Sequence, residues 1–301
     1  MTAGAIAISL RKAGEGRRWL DFLALTKPRV ILMVLVTTSV GFHLASVGAP
    51  DPLLFLHTVF GTALAAAGVM TLNQFLERDV DARMARTCSR PMPDGRIQPG
   101  EALIFGATLA AAGLSYLAII VNWPSTLVAA ITAVSYLFVY TPLKRWSPLC
   151  VLVGAVPGAL PPVIGWVAAR GEFGFPAWVL FAILFLWQLP HTLSIALLYR
   201  ADYDCAGLHV LPHGQSGREC AARQTVASCT ALMAIGLLPS LLGMTGSLYL
   251  LGASLLGAGL LACGVGLALS ESTTDIRRLM VATLVYLPAL FALMAVDKIG
   301  F

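Results

Sequence analysis

Asn73, Glu77 and Asp81 recur at intervals of four. In a helix that spacing stacks an amide and two carboxylates on one face. Asn73 sits inside an apolar run, and a buried amide needs partners. Carboxylates next to hydrocarbon are costly unless paired or metal-bound, so they mark a functional position. Hard oxygen donors suit Mg²⁺, which is usually held by one or two carboxylates plus substrate phosphates. Just beyond, Arg86 and Arg90 are one helical turn apart and offer forked donors that match phosphate oxygens. Carboxylates and guanidinium groups together point to a metal–diphosphate rather than a bare cation. The same spacing also fits a solvated helix end laced with ion pairs.

A second polar group follows a later apolar run, in Trp187-Gln188-Leu189-Pro190-His191 and then Asp202-Tyr203-Asp204. Pro190 is expected to kink its helix or free a carbonyl. His191 has the chemistry of a metal or haem-iron ligand or of a hydrogen-bonding group. A histidine satisfied by a neighbouring helix fits as well. Asp202 and Asp204 are two apart, so a helix would not align them, although an irregular loop could turn both onto one cation. A plainly solvated loop is the alternative. Facing each other across a bundle, the two acidic clusters would hold a diphosphate through Mg²⁺. The lipophilic remainder would lie among the helices, and neutralising the leaving group would ionise an allylic diphosphate.

The elements that position these residues are membrane helices. Charged residues make up 12% of the 301-residue chain and apolar residues 58%, with a mean hydropathy of +0.82. A soluble domain carries about 25% charged residues, so most of this surface need not meet water. Runs long enough to span a bilayer fall at about 30–48, 53–76, 102–121, 124–140, 149–168, 176–199, 225–244, 247–269 and 279–296. The expectation is an all-α, polytopic bundle of about nine transmembrane helices. It forms one domain over 1–301 with a cytoplasmic N-terminal segment, 1–28, that lacks the features of a secretory signal. Of the 20 lysines and arginines, only Arg170 and Lys298 fall on one side of this alternation. The positive-inside rule therefore puts the N-terminus in the cytoplasm and the C-terminus outside. Basic residues spread between apolar runs in this way argue against nucleic acid as a partner.

Smaller features have plainer expectations. Lys27 and Arg29, at the start of the first helix, would anchor lipid head groups. Lys144 and Arg145 would do the same or contact diphosphate. His43 and His57 read as structural or interfacial, and His209 and His213 as solvated. The six cysteines form no CxxC pair and read as space-filling residues.

Several segments together carry a resemblance: LTKPRV (25–30), the run from Asn73 to Pro91 with its RT-x-x-RP ending, YTPLKR (140–145), PGALPPVIGW (157–166), WQLPH (187–191) and DYDCAG…LP (202–212). In this order they resemble the UbiA-type intramembrane prenyltransferases, and within them the branch that farnesylates haem. The acidic motif alone marks only the superfamily, whereas RT-x-x-RP, PP-x-x-GW, WQ-x-PH and DY-x-x-AG together point to the haem branch. The resemblance implies a UbiA-type fold in a bacterial inner membrane. It implies transfer of a farnesyl group from farnesyl diphosphate to a vinyl group of haem B, which is substrate rather than cofactor, with addition of water. It also implies Mg²⁺ and diphosphate held by Asn73, Glu77, Asp81 and Asp202, with Glu77, Asp81 and Asp202 as metal ligands. Arg86, Arg90 and Lys144 would neutralise the departing diphosphate. His191 would lie near the haem, and Asp204 would stand in for a second carboxylate of the later motif, where Ala206 is found. Besides membrane lipid, haem A synthase or cytochrome oxidase assembly factors are the implied partners. Glu77 departs from the superfamily's aspartate, and Leu149 stands where a polar asparagine is expected. Three rival readings are a UbiA-type enzyme acting on a quinone precursor, a cation-coupled transporter and a non-catalytic assembly scaffold. A transporter would carry ionisable groups near mid-membrane, whereas these carboxylates gather at one boundary.

Overall fold

The computed structural model describes residues 18–211, 214–270 and 272–299, with side chains omitted at 214–216. The expectations for the basic stretch as far as Arg17, and for Pro212 and His213, lie outside these residues. Among the described residues nine helices are long and apolar enough to cross a membrane: α1 (Pro28–Ala45), α2 (Pro52–Asp81), α3 (Pro99–Val121), α4 (Trp123–Leu143), α5 (Cys150–Arg170), α6 (Phe175–Leu198), α7 (Gly217–Leu241), α8 (Ser247–Ser270) and α9 (Thr273–Val296). The chain is a multi-pass integral membrane protein.

Local chemistry sets the starts of these helices. Pro28, Pro52, Pro99, Pro124 and Pro176 take the first or second positions of α1, α2, α3, α4 and α6, where the missing N–H costs nothing. Asp51 accepts from the amides of Leu53 and Leu54, and Asn122 accepts from Ser125 N. Several helices overrun their apolar runs. α2 continues to Asp81, and α9 begins at Thr273 rather than 279. Hydropathy locates only the part of a helix that lies in hydrocarbon, and backbone hydrogen bonding carries the helix on into the polar zone. α6 likewise passes through Pro190 without a break.

α5 is the central element, with every residue from Ala159 to Ala168 buried. It breaks at Leu160 and restarts at Pro161. Glycines let helices approach α5 and each other closely. A Cβ on Gly165 would lie 1.9 Å from the Thr38 carbonyl oxygen of α1, and one on Gly68 of α2 would lie 2.3 Å from Ala110 N of α3. Lipid offers no hydrophobic drive between helices, so such close backbone packing is a main source of cohesion. The two exceptions to the charge alternation have structural work. Arg170 donates to the Ala45 carbonyl at 2.6 Å, and Lys298 donates to the carbonyls of His43 at 2.6 Å and Ser46 at 2.7 Å. Both satisfy the exposed carbonyl end of α1.

Candidate active site

The last three turns of α2 carry Asn73, Glu77 and Asp81 to one polar cavity of about 180 Å³. The sequence folds this way because α2 does not stop at the end of its apolar run. Asn73 and Asp81 are buried, and Glu77 is largely enclosed. Each is matched by a cation from another element. Lys27 Nζ donates to Asn73 Oδ1 at 3.0 Å, Lys144 Nζ to Glu77 Oε1 at 2.8 Å, and Arg90 Nη1 to Asp81 Oδ2 at 2.5 Å. The other end of the Asn73 amide donates to Thr141 Oγ1 at 3.1 Å, which fixes its orientation.

Three segments deliver these cations. Lys27 precedes Pro28 and is the only described non-glycine residue with positive φ, at 52°. A left-handed lysine persists only where its surroundings over-determine it. Here Gln74 Nε2 holds the preceding turn by the Leu25 carbonyl at 2.6 Å, and Arg96 pairs with Asp21. The loop after α2 doubles back, with Thr87 Oγ1 donating to the Asp81 carbonyl at 2.8 Å, and so aims Arg90 at Asp81. Lys144 follows the last turn of α4, Thr141–Leu143, which a π-helical stretch, Ser135–Tyr140, precedes. Such stretches gather at functional sites; this one turns Tyr136 and Tyr140 to the cavity, with Lys144 over the Tyr140 ring at 4.3 Å.

The cavity wall has four cations (Lys27, Arg86, Arg90, Lys144) and two carboxylates. Arg86 has no carboxylate partner among the described ion pairs. Its guanidinium lies over the rings of Tyr199 at 4.9 Å and Tyr203 at 5.8 Å. Burial, with Arg90 and Lys144 nearby, lowers the Lys27 pKa to about 8 despite the pull of Glu77 and Asp81. Burial also opposes the charge on Lys144, but the acidic phenol of Tyr140 and the Glu77 carboxylate outweigh it and hold its pKa well above that of a free lysine.

A second, apolar cavity of about 230 Å³ runs into the bundle among Val34, Ala65, Val69, Ala129, Pro157 and Ile164. It shares Tyr136, Tyr140, Val151 and Thr192 with the polar cavity. A charged chamber thus opens into a greasy one, as an amphiphile with an anionic head requires.

Asn73, Glu77, Asp81, Arg86, Arg90 and Lys144 therefore meet at one cavity, the first five expected from their spacing and Lys144 from the resemblance. The second cluster joins differently. Neither Asp202 nor Asp204 lines either cavity, and Asp204 is 3.8 Å from Arg200. The short helix Arg200–Cys205 instead turns Tyr203 inward. His191 also stands off both cavities. Its Nδ1 is 2.9 Å from Thr283 Oγ1, and its ring stacks on Trp187. Lys27 is the residue that the sequence pointed to and misassigned: it faces the cavity rather than lipid head groups. Its position before a proline that opens a helix was the available signal. His209, expected to be solvated, ties its loop to the Lys144 and Arg145 carbonyls at 2.8 Å. His43 and His57 are structural, bonded to the Ala295 carbonyl at 3.3 Å and to Tyr116 Oη at 2.7 Å.

The donor set fits Mg²⁺ in one manner only. Among the described residues no three carboxylate, imidazole or thiol groups converge to hold a metal. Two carboxylates and an amide oxygen are present, so phosphate oxygens of a ligand must complete the shell.

The profile of the UbiA prenyltransferase family matches residues 34–292. A protoheme IX farnesyltransferase of Solibacter usitatus (strain Ellin6076) is 44% identical over 289 residues, covering 93% of this chain and 99% of that one. Its counterpart in Koribacter versatilis (strain Ellin345) is 39% identical, covering 92% and 93%. Two solved structures share the fold. A digeranylgeranylglyceryl phosphate synthase superposes with a TM-score of 0.77 at 18% identity, covering 93% of this chain and 98% of that one. A UbiA homologue from Archaeoglobus fulgidus bound to GPP and Mg²⁺ superposes with a TM-score of 0.64 at 16% identity, covering 91% and 99%.

Proposed function

The chain belongs to the UbiA prenyltransferase family, and on that premise we propose that it transfers a farnesyl group from farnesyl diphosphate to a vinyl group of haem B. One observation carries the reading: the four-cation, two-carboxylate cavity opens, through Tyr136, Tyr140, Val151 and Thr192, into an apolar cavity that suits an isoprenoid. The names of the relatives supply the acceptor.

In this reading Lys27, Arg86, Arg90 and Lys144 bind the diphosphate and neutralise charge as the C1–O bond breaks, its electron pair leaving with the diphosphate. Glu77 and Asp81, with Asn73 Oδ1 beside them, would hold Mg²⁺, which supplies further positive charge to the phosphate oxygens. Tyr136 and Tyr140 line the junction, where aromatic rings favour developing positive charge at C1. The terminal vinyl carbon bonds to C1. The adjacent carbon then takes the oxygen of a water, which gives up its proton. Asp202 and Asp204 stay outside this scheme, and Tyr203 is what their segment contributes. His191 braces α6 against α9. In this reading the chain sits in a bacterial inner membrane with its charge-rich face towards the cytoplasm, the N-terminus inside and the C-terminus outside, an orientation that the distribution of basic residues supports.

The test is incubation of the purified protein with haem B, Mg²⁺ and farnesyl diphosphate, followed by mass spectrometry of the haem, with Asp81→Ala in parallel. A farnesylated, hydrated haem from the native protein only is the expected result. Unmodified haem from folded protein rejects the acceptor and leads to a panel of quinone precursors.

A further inference from the structure

Prenyl transfer requires the acceptor at C1 of the donor. On the reading proposed above, C1 lies where the polar and apolar cavities share Tyr136, Tyr140, Val151 and Thr192. One of these four, Val151, also lines a third cavity of about 280 Å³, which shares Val210 with the polar cavity as well. Val151 is the single residue common to all three cavities. The third cavity lies between the start of α5, α6, Val210 and Leu211, and the first turns of α7, on the face of the bundle that carries the polar cavity. Its wall is almost wholly apolar: Leu149, Leu152, Leu193 and Leu211 with Cys220 and Gln224. Leu149 is 60% exposed and Leu152 36%, so one side opens outward at the level of the membrane boundary.

We infer that this third cavity seats the acceptor, an apolar, conjugated ring system that enters from the membrane and lays one edge against Val151. The two donor cavities are matched to a diphosphate and an isoprenoid chain. The third is lined by apolar side chains and adjoins both donor cavities at Val151. Val151 is then a specificity-determining residue, because its size fixes how far the acceptor edge advances towards C1.

Cys220 provides the test, since its thiol is exposed and lines only the third cavity. In a Cys88→Ser, Cys205→Ser background, Cys220 is labelled with a bulky maleimide, with a Cys220→Ser version treated in parallel. Haem B binding is followed by its absorbance, farnesyl diphosphate binding by calorimetry with Mg²⁺, and turnover by mass spectrometry. The label is expected to weaken haem binding about tenfold or more and to leave farnesyl diphosphate affinity within about twofold, with no effect on the Cys220→Ser protein. Haem binding and its KM unchanged by the label overturn the assignment. Absence of turnover in unlabelled protein rejects the functional reading instead, and label-sensitive haem binding in that protein still supports the cavity as the ring site.

Discussion

Lys27 Nζ lies 3.0 Å from Asn73 Oδ1, across 46 residues of sequence. The lysine precedes the first membrane helix, and the amide lies in the penultimate stretch of the second. The contact makes a titratable cation part of the polar chamber.

Because burial and neighbouring cations hold Lys27 near pH 8, its charge is lost within an accessible range. Diphosphate affinity is expected to fall as pH rises through about 8. Lys27→Arg should move that loss to much higher pH, since arginine keeps its proton. Stability without ligand runs the other way. The folded state releases the proton near 8 while the unfolded chain keeps it to about 10.5, so this group favours folding increasingly as pH rises between those values. Calorimetric binding and thermal melts in detergent across pH 7 to 10 check both signs; an affinity that is flat through pH 8 would remove Lys27 from the site.

Glu77 and Asp81 are already paired with Lys144 and Arg90. A metal arriving alone must displace both cations in a chamber whose charge is net positive. Mg²⁺ alone is therefore expected to bind weakly, and inorganic diphosphate to raise its affinity by about an order of magnitude or more, reciprocally. Titration of each ligand with and without the other measures this. Chelation of the metal should abolish turnover, and Glu77→Gln should lower it roughly a hundred- to a thousandfold.

Arg86 is held by ring faces rather than by a carboxylate. Tyr199→Leu and Tyr203→Leu are each expected to raise the KM for the diphosphate substrate about two- to tenfold, the worth of one cation–π contact. The phenylalanine variants keep the ring and should stay near the native value. Steady-state kinetics of the four variants are sufficient, and equal defects in Leu and Phe would assign the effect to the hydroxyl.

At Gly68 and Gly113 a side chain would meet backbone rather than a movable side chain, at 2.3 Å from Ala110 N and 2.2 Å from Ala65 N. Alanine at either position should push α2 and α3 apart and destabilise the protein by about 1–3 kcal/mol. Gly259, with open space around its Cβ position, is the control. Melting temperatures in one detergent compare the three.

The sequence by itself determined the number of helices, the face that carries charge, and the meeting of Asn73, Glu77 and Asp81. All three follow from local physics: the thickness of hydrocarbon, the segregation of charge, and the helical repeat. Arg86 and Arg90 were legible from their one-turn spacing just beyond that acidic face, whereas Lys144 was pointed to by the family resemblance. Only the tertiary structure decided which cation meets which acid, and that Lys27 rather than a lipid anchor completes the set. It also decided that Tyr203 faces the chamber while Asp202 and Asp204 stand away, and that His191 serves Thr283. Those outcomes depend on a left-handed residue before Pro28, a π-helical turn at Ser135–Tyr140 and a short helix at Arg200–Cys205. Each rotates side chains by a fraction of a turn. Such rotations are fixed by packing between helices distant in sequence, which no local pattern of residues encodes.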